Sequence, residues 1–259
     1  GEMTGAGFRV PPGFALTLEA YHRFMEETGA VSEVQQYFRT FNADTYKGSD
    51  IDKYEEASGA IRQIVESKTM PKDMEDAVTQ YYHDLCRRIG ISDVPVATRS
   101  AGPTSHPGQY ETFLYIKGES DVIKNVIKVW SSTFNQRSII ARARQGLPLE
   151  YDPIGVCVVA MVNARAAGIM FTANPINGDL STIMLEANWG LGESVVSGSI
   201  TPDKWSVDKV VLEVTESIVS TKLKQYVLDT DRGQASYVDL PLERQNAPCL
   251  SEQEVLEIA

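Results

Sequence analysis

The spacing of apolar residues changes along the chain, from a helical period in the first ninety residues to a strand period after Ile154. Apolar positions three or four residues apart predict amphipathic helices near 17–29, 31–43, 51–68 and 71–89. After Ile154, short apolar runs bounded by turn residues predict buried strands. Because such strands need cover on both faces, we predict an α/β (or α+β) fold, with a helical N-terminal part and mixed β-sheets packed under the helices.

Between these two parts, the sequence predicts two strands, a connecting loop and two more helices. The strands cover 94–98 and 110–116, and the helices cover about 119–132 and 135–146. Further on, WSVDKVVLEV and IVSTKL alternate as strands do, and Ser251 is placed to cap a last helix.

The charge balance argues against general nucleic-acid binding. The chain has 35 acidic and 24 basic residues and a net charge of -11, whereas nucleic-acid binding depends on basic residues that neutralise phosphates. Between Lys117 and Arg144, however, six basic residues accompany only two acidic ones. This basic stretch is typical of a solvated helix face, and a partner-docking face is the alternative.

Two features that the sequence lacks narrow the class of protein. No apolar run reaches the ~18 residues of a membrane span, so no membrane association is predicted. Three cysteines without a CxxC pair indicate neither a disulfide framework nor a zinc site, and with no signal peptide at the start they favour a reducing cytoplasm.

A loop rich in glycine and proline connects the two middle strands. Arg99 ends the first strand, and the loop SAGPTSHPGQ follows it. A guanidinium can bind phosphate oxygens in a bidentate manner and free backbone amides can bind the other oxygens, so this arrangement suits a polyphosphate. The alternative is an irregular connection without a ligand. Of the three histidines, only His106 in this loop is placed to touch a ligand.

Two features of the later strands admit structural and functional interpretations. Gly190 and Gly192 follow an apolar strand, but the third glycine of a dinucleotide fingerprint is missing, which favours a tight strand-to-helix turn over a Rossmann site. Glu186 lies among apolar residues near the end of the same strand. A buried carboxylate there requires an arginine, a backbone amide or a metal ion as its partner.

Six longer segments carry a family resemblance: GFRVPPGFALTLEAYHRF, VATRS, GQYETFL, WSSTFNQRSIIAR, MVNARAAGIMFTANPINGD and LEANWGLGESVVSGSITPDKW. Together, over nearly the whole chain, they resemble the N-terminal ATP-binding domain of phosphoenolpyruvate synthase, pyruvate phosphate dikinase and the rifampin phosphotransferases, a variant of the ATP-grasp fold. The resemblance implies a first lobe at 1–160 and a second, truncated lobe at 161–259, with ATP between them.

The resemblance also implies roles for individual residues. Arg99 and Arg137 would be the catalytic residues, because both would supply fixed positive charge to the phosphates. The residues implied to bind the nucleotide are Arg99, Gly108, Gln109, Thr112, Met161, Val162 and Glu186. Within this set, the loop residues would cover the phosphates, Met161 and Val162 would line the adenine pocket, and Glu186 matches the family's acidic strand.

The sequence departs from the family pattern in three places. The loop after Arg99 is shorter than in the family. The family's glycine-lysine segment is expected ahead of GEM, and its metal-binding strand is expected beyond Ala259, so we expect a trimmed domain whose metal ligands are not assigned.

The activity implied by the resemblance is that of an ATP-dependent phosphotransferase of the dikinase type, with ATP and Mg²⁺ as cofactors. The β-phosphoryl would pass to a histidine on a partner domain or subunit, giving AMP and phosphate, for a small-molecule acceptor that is phenol or pyruvate-like. The shortened loop is similar to the stand-alone ATP-binding subunit of phenylphosphate synthase, which implies activity only with a partner. Two alternatives stay open: a non-catalytic ATP-binding regulatory or scaffold subunit, and direct transfer to a small molecule with ADP as product.

Overall fold

A computed structural model describes residues 2–44, 50–102, 109–229 and 234–259 of the chain. Its internal contacts divide the chain into two compact units, Gly1–Met161 and Val162–Ala259. Within the described ranges, no helix combines the length and the apolar character needed to cross a bilayer.

The first unit contains seven α-helices and four strands among its described residues. In chain order they are α1 (Glu2–Gly5), β1 (Gly13–Leu16), α2 (Leu18–Glu27), α3 (Ala30–Thr40), α4 (Ile51–Glu66), α5 (Lys72–Ile89), β2 (Val96–Ala101), β3 (Thr112–Ile116), α6 (Glu119–Ser131), α7 (Gln136–Gln145) and β4 (Gly155–Ala160). A 3-10 turn, Ser132–Phe134, joins α6 to α7.

The helix ends follow local stop and start signals in the sequence. Helix α5 begins directly after Pro71 and ends at Gly90, which adopts the left-handed conformation with φ of 80° that glycine tolerates best. Helix α7 begins after Asn135, whose side chain accepts a hydrogen bond from the backbone N–H of Ser138. These caps satisfy backbone groups that a helix end would otherwise leave without partners.

The four strands of the first unit form one antiparallel sheet in the order β1-β4-β2-β3. One face of this sheet packs on the helices: Val96, Val156 and Val158 on that face have no exposed surface. Trp130 of α6 is also fully buried, with its ring 4.9 Å from that of Phe24. Because large apolar side chains dominate burial energies, this helix-covered face is the core of the unit.

The second unit is mostly β-structure. Its elements are β5 (Ala166–Phe171), β6 (Thr182–Trp189), α8 (Glu193–Val196), β7 (Asp203–Asp208), β8 (Glu213–Ile218), β9 (Lys224–Asp229), β10 (Gln234–Asp239), α9 (Leu242–Gln245) and α10 (Glu252–Ile258). Strands β5 to β8 form an antiparallel sheet in sequence order, and β9 pairs with β10. A separate core includes Trp189, Trp205 and Val255. Ser251 and Glu254 form a capping box that starts α10.

The fold class predicted from the sequence is confirmed, and three details differ. The sheets are antiparallel in every named strand pair of the described residues, not of mixed direction. The short connection between β7, which ends at Asp208, and β8, which begins at Glu213, explains the antiparallel direction of that pair, because parallel neighbours need a longer crossover. The segment WSVDKVVLEV contains a turn at 209–212, and IVSTKL runs past the end of β8 at Ile218.

Candidate functional site

The outer face of the first sheet brings Arg99 and Thr112 together. Arg99 of β2 pairs with Thr112 of β3 on one side and with Cys157 of β4 on the other. Directly paired residues of an antiparallel sheet point to the same face, so these three side chains are neighbours. The residues next to Arg99 and Cys157 in their strands, Thr98 and Val158, are buried on the helix-covered face. Arg99 is exposed and forms no ion pair with any described residue.

Apart from Val159, which pairs with Gly13 and Ala97, the β1, β2 and β4 residues around Arg99 on this outer face are small. The strand register places Gly13, Ala15, Ala97, Ala101 and Gly155 around Arg99 and Cys157. A Cβ atom added to Gly155 would lie 2.7 Å from the carbonyl oxygen of Leu16, so this position has no room for a side chain. A surface of mostly small side chains next to an exposed arginine leaves space for a ligand.

Gln109 connects this face to the start of α7. The Asn135 side-chain amide donates a hydrogen bond to the Gln109 carbonyl oxygen at 2.5 Å, and the Ser138 hydroxyl donates a second at 3.4 Å. Asn135 is the residue that caps α7, and Arg137 follows it in the first helical turn. Arg137 is exposed and, within the described part of the chain, has no ion-pair partner. Two exposed arginines that form no ion pair with a described residue thus flank one segment, Gln109–Thr112.

Side chains from distant parts of the first unit hold the same segment. The Glu111 carboxylate accepts hydrogen bonds from both terminal nitrogens of Arg62, at 2.6 and 2.9 Å, and the Glu111 backbone N–H donates to the Ser132 hydroxyl at 3.2 Å. The Tyr110 hydroxyl donates to Asp152 at 2.9 Å. Burial, with the charge of Asp152, raises the pKa of Tyr110, so this hydroxyl keeps its proton at neutral pH.

One arginine of the basic stretch is structural. Arg142 is only 4% exposed, donates to the Thr133 and Leu149 carbonyl oxygens, and forms an ion pair with Asp152. Burial lowers its pKa, and the Asp152 charge opposes that shift. Elsewhere in the stretch, Lys128 lies over the ring of Phe113. Arg142 is therefore not part of a solvated helix face, and the choice between a solvated face and a docking face for the other basic residues of the stretch stays a prediction.

Met161 and Val162 lie beyond the strand on which the resemblance placed them. Strand β4 ends at Ala160, and Met161 continues the ladder with one hydrogen bond, from its N–H to the Pro95 carbonyl oxygen at 2.8 Å. Met161 is half-buried and belongs to the first unit, whereas Val162 is exposed and begins the second.

Glu186 lies in the middle of β6, in the second unit, and its partner is a lysine. Lys204 of β7 is its paired residue, and the two side chains form an ion pair at 2.6 Å. The expectation of an arginine, an amide or a metal ion as the partner was therefore wrong. Among the described residues, no group of three or more His, Cys, Asp or Glu side chains could hold a metal ion. Within the described part of the chain, the side chains thus provide no such group for a magnesium ion.

The glycine pair after β6 forms the predicted strand-to-helix turn. Gly190 has φ of 81°, and a Cβ atom there would lie 2.3 Å from the Tyr226 carbonyl oxygen. The Leu191 N–H donates to that same oxygen at 2.7 Å, which ties the turn to β9. The turn is therefore structural. His106 and Gly108, the two remaining loop residues singled out in the sequence, lie outside the described residues.

Comparison with known proteins shows the family to which the chain belongs. Residues 1–259 match the family model described as pyruvate phosphate dikinase, AMP/ATP-binding domain. The chain belongs to this family. For an AMP/ATP-binding domain of the dikinase family, ATP is the expected ligand and phosphotransfer the class of reaction. The α/β architecture with helices around antiparallel sheets agrees with its ATP-grasp-like fold.

Several relatives of the AMP/ATP-binding domain are considerably longer proteins. A probable phosphoenolpyruvate synthase of Methanocaldococcus jannaschii is 37% identical over 265 residues, which cover 100% of this chain and 22% of the relative. A probable phosphoenolpyruvate synthase of Staphylothermus marinus is 38% identical over 90% of the chain and 28% of its own length. The phosphoenolpyruvate synthase of Pyrococcus furiosus is 32% identical over 100% of the chain and 36% of its own length. The chain thus spans about a quarter to a third of these relatives.

Sequence reasoning missed Arg62, Glu111 and Asn135 as residues around the site. Asn135 carried a local signal, because an asparagine directly before a helical pattern is a preferred N-cap. The pairing of Arg62 with Glu111 had no such signal, since the two residues are 49 positions apart in the sequence.

Proposed function

We propose that the outer face of the first sheet binds the phosphates of ATP, with Arg99 and Arg137 as the cationic groups and Gln109 and Thr112 as the segment between them. The observation that carries this proposal is that two exposed arginines, neither of which is ion-paired with any residue that the structure describes, flank one anchored segment. A guanidinium without a carboxylate partner is free to bind phosphate oxygens in a bidentate manner. The half-buried Met161, next to the sheet, would contact the adenine, as would Val162.

The reaction we propose is transfer of the β-phosphoryl group to a histidine of a partner domain or subunit. The histidine nitrogen forms the new bond to the β-phosphorus, AMP leaves with the α-phosphate, and water takes the γ-phosphate to give inorganic phosphate. Arg99 and Arg137 contribute fixed positive charge where negative charge develops on the transferring group. Mg²⁺ would accompany the phosphates of ATP and would be held largely by them, since the described residues offer no group of three or more His, Cys, Asp or Glu side chains for it.

The names of the relatives, and not the geometry, support the choice of final acceptor. The relatives are phosphoenolpyruvate synthases, so a pyruvate-like acceptor is proposed for the whole protein in preference to phenol.

The free thiols of Cys86, Cys157 and Cys249 support a cytoplasmic location as part of the same proposal.

The experiment is calorimetric titration of the chain with ATP and magnesium, with Arg99→Ala and Arg137→Ala beside the wild type. Each variant is expected to bind ATP at least about tenfold more weakly, in line with the loss of a charge-assisted hydrogen bond. Arg88→Ala is the control, because Arg88 is an exposed arginine of α5. ATP affinity that is the same in wild type, Arg99→Ala and Arg137→Ala would remove both arginines from the site. ATP binding without AMP formation when a phosphohistidine domain is supplied would instead support the non-catalytic alternative.

A further inference from the structure

We propose that Arg62 is a positioning residue for the phosphate-binding segment Gln109–Thr112, acting through the carboxylate of Glu111. The inference rests on the proposed function and adds a residue from α4, which neither the sequence motifs nor the nucleotide contacts include. Arg62 and Glu111 form a two-pronged ion pair, in which each terminal nitrogen of the guanidinium donates to a different carboxylate oxygen. Such pairs fix orientation as well as distance.

The ion pair belongs to a larger support that spans three elements. Arg62 Nε also lies 3.5 Å from the Glu66 carboxylate, one turn further along α4. Glu66 in turn accepts a hydrogen bond from the Ser131 hydroxyl at 2.6 Å, at the end of α6. The next residue, Ser132, accepts the hydrogen bond from the Glu111 backbone N–H. Side chain and backbone of Glu111 are therefore both held by the helical layer.

The position of Glu111 explains why the contacts that hold it matter for the phosphate-binding segment. Glu111 directly precedes Thr112, the first residue of β3 and the direct neighbour of Arg99 across the sheet. Displacement of Glu111 would displace Thr112 and the backbone at Gln109 as well. Both carboxylate oxygens of Glu111 already accept hydrogen bonds from Arg62. Glu111 therefore holds the segment in position and is not the group that contacts the ligand.

Partial burial separates this pair from an ordinary surface ion pair. The side chains of Arg62 and Glu111 are 27% and 34% exposed, whereas those of Arg23 and Asp73, which also form an ion pair in the first unit, are 43% and 65% exposed. Arg23 of α2 likewise binds two carboxylates, those of Glu27 in the same helix and Asp73 in α5, but neither partner belongs to the segment. Arg23 is therefore a matched control.

The experiment is a double-mutant cycle on ATP affinity, measured by calorimetry with Arg62→Met, Glu111→Gln and the double variant. The reference is Arg99→Ala, the control is Arg23→Met, and thermal unfolding is followed for every variant. Each single variant is expected to weaken ATP binding about ten- to 100-fold, the range seen when a supporting partner is removed from a functional group. The double variant should bind ATP no more weakly than whichever single variant has the lower ATP affinity, because both substitutions break the same contact. Arg23→Met should leave the ATP affinity unchanged.

Several outcomes would overturn the inference. If Arg99→Ala loses ATP binding while Arg62→Met and Glu111→Gln bind as the wild type does, Arg62 has no positioning role and the proposed function still stands. Additive losses in the double variant would show that the two residues act separately, and an equal loss in Arg23→Met would show a general effect on folding. If ATP affinity does not change even in Arg99→Ala, the proposed function itself fails. Should Arg62→Met not fold, Glu111→Gln keeps the test, because it weakens the same pair with a side chain of the same shape.

Discussion

Replacing Lys222 by methionine is predicted to destabilise the second unit severely. The Lys222 ammonium forms an ion pair with the Asp203 carboxylate, and both side chains are fully buried. Lys222 also donates to the Ser220 carbonyl oxygen at 2.8 Å. Methionine has a similar length, so the substitution removes the charge with little change in volume and leaves the Asp203 carboxylate buried without its cation.

The hydrogen bonds left at Asp203 set the expected size of this effect. Removing one partner of a buried ion pair costs about 3–5 kcal/mol, because the remaining charge has no compensation. Asp203 keeps hydrogen bonds from the backbone N–H groups of Ser220 and Cys249, both at 2.9 Å. We therefore expect a loss near the lower limit, about 3 kcal/mol in the free energy of unfolding.

Urea denaturation followed by tryptophan fluorescence measures this loss, since Trp189 and Trp205 belong to the core of the second unit. A slope of about 1–3 kcal/mol per molar urea converts 3 kcal/mol into a midpoint lower by about 1 M or more. The control is Lys224→Met, whose exposed lysine lies 3.9 Å from Asp239 and should contribute about 0–1 kcal/mol. The double variant Lys222→Met with Asp203→Asn should regain part of the loss. A midpoint for Lys222→Met equal to that of Lys224→Met would refute the reasoning.

Two further predictions concern the cap of α7 and a buried thiol. Asn135→Ala should cost about 1 kcal/mol of stability and also weaken ATP binding, because it removes both the cap of α7 and the hydrogen-bond donor to Gln109. Ser251→Ala removes the cap of α10 and should lower stability without changing ATP binding. Urea denaturation and calorimetric titration measure the two effects. Burial, and after it the charge of Asp203, raises the pKa of Cys249 from 9.0 to about 12. The folded state therefore holds this proton more tightly than the unfolded state, and the resulting stability is present below pH 9 and is lost as the pH rises from 9 to 12. Cys249→Ala should lose stability less steeply than the wild type over that range, and an identical slope would contradict this.

The helices and their ends could be predicted because their signals are local. The apolar stripe of α5, its opening at Pro71 and its end at Gly90 all lie within one stretch of sequence. The capping box of α10 likewise needs only Ser251 and Glu254. Local signals of this kind carry the backbone preference and the periodic burial that decide a helix.

Strand directions and side-chain partners could not be predicted in the same way. Apolar runs indicate that a strand is buried, but pairing direction depends on which strands become neighbours. The partner of Glu186 is Lys204, which only the register of β6 and β7 places opposite it. Lys222 shows the same limit, because it stands in a segment that alternates like a strand, yet its ammonium is buried against Asp203.

The residues of the candidate site show the same difference between local sequence signals and long-range contacts. Arg99 and Thr112 could be named from motifs, and the sheet register places them side by side. The support from Arg62 to Glu111 joins positions 49 residues apart, so no sequence window contains it. Residues that carry a motif can therefore be proposed as ligand contacts from the sequence, whereas the residues that hold them in place need the structure.

Alkylation of Cys157 with and without ATP tests the central claim most directly. Cys157 is partly exposed on the outer face of the sheet, directly across from Arg99, whereas Cys86 and Cys249 are buried. The rate of its reaction with N-ethylmaleimide, followed by peptide mass spectrometry, should fall severalfold in saturating ATP and magnesium, and in Arg99→Ala the same protection should require an ATP concentration at least about tenfold higher. If ATP binds by calorimetry while Cys157 reacts at the same rate with and without it, the nucleotide does not lie on this face and the proposed site is wrong.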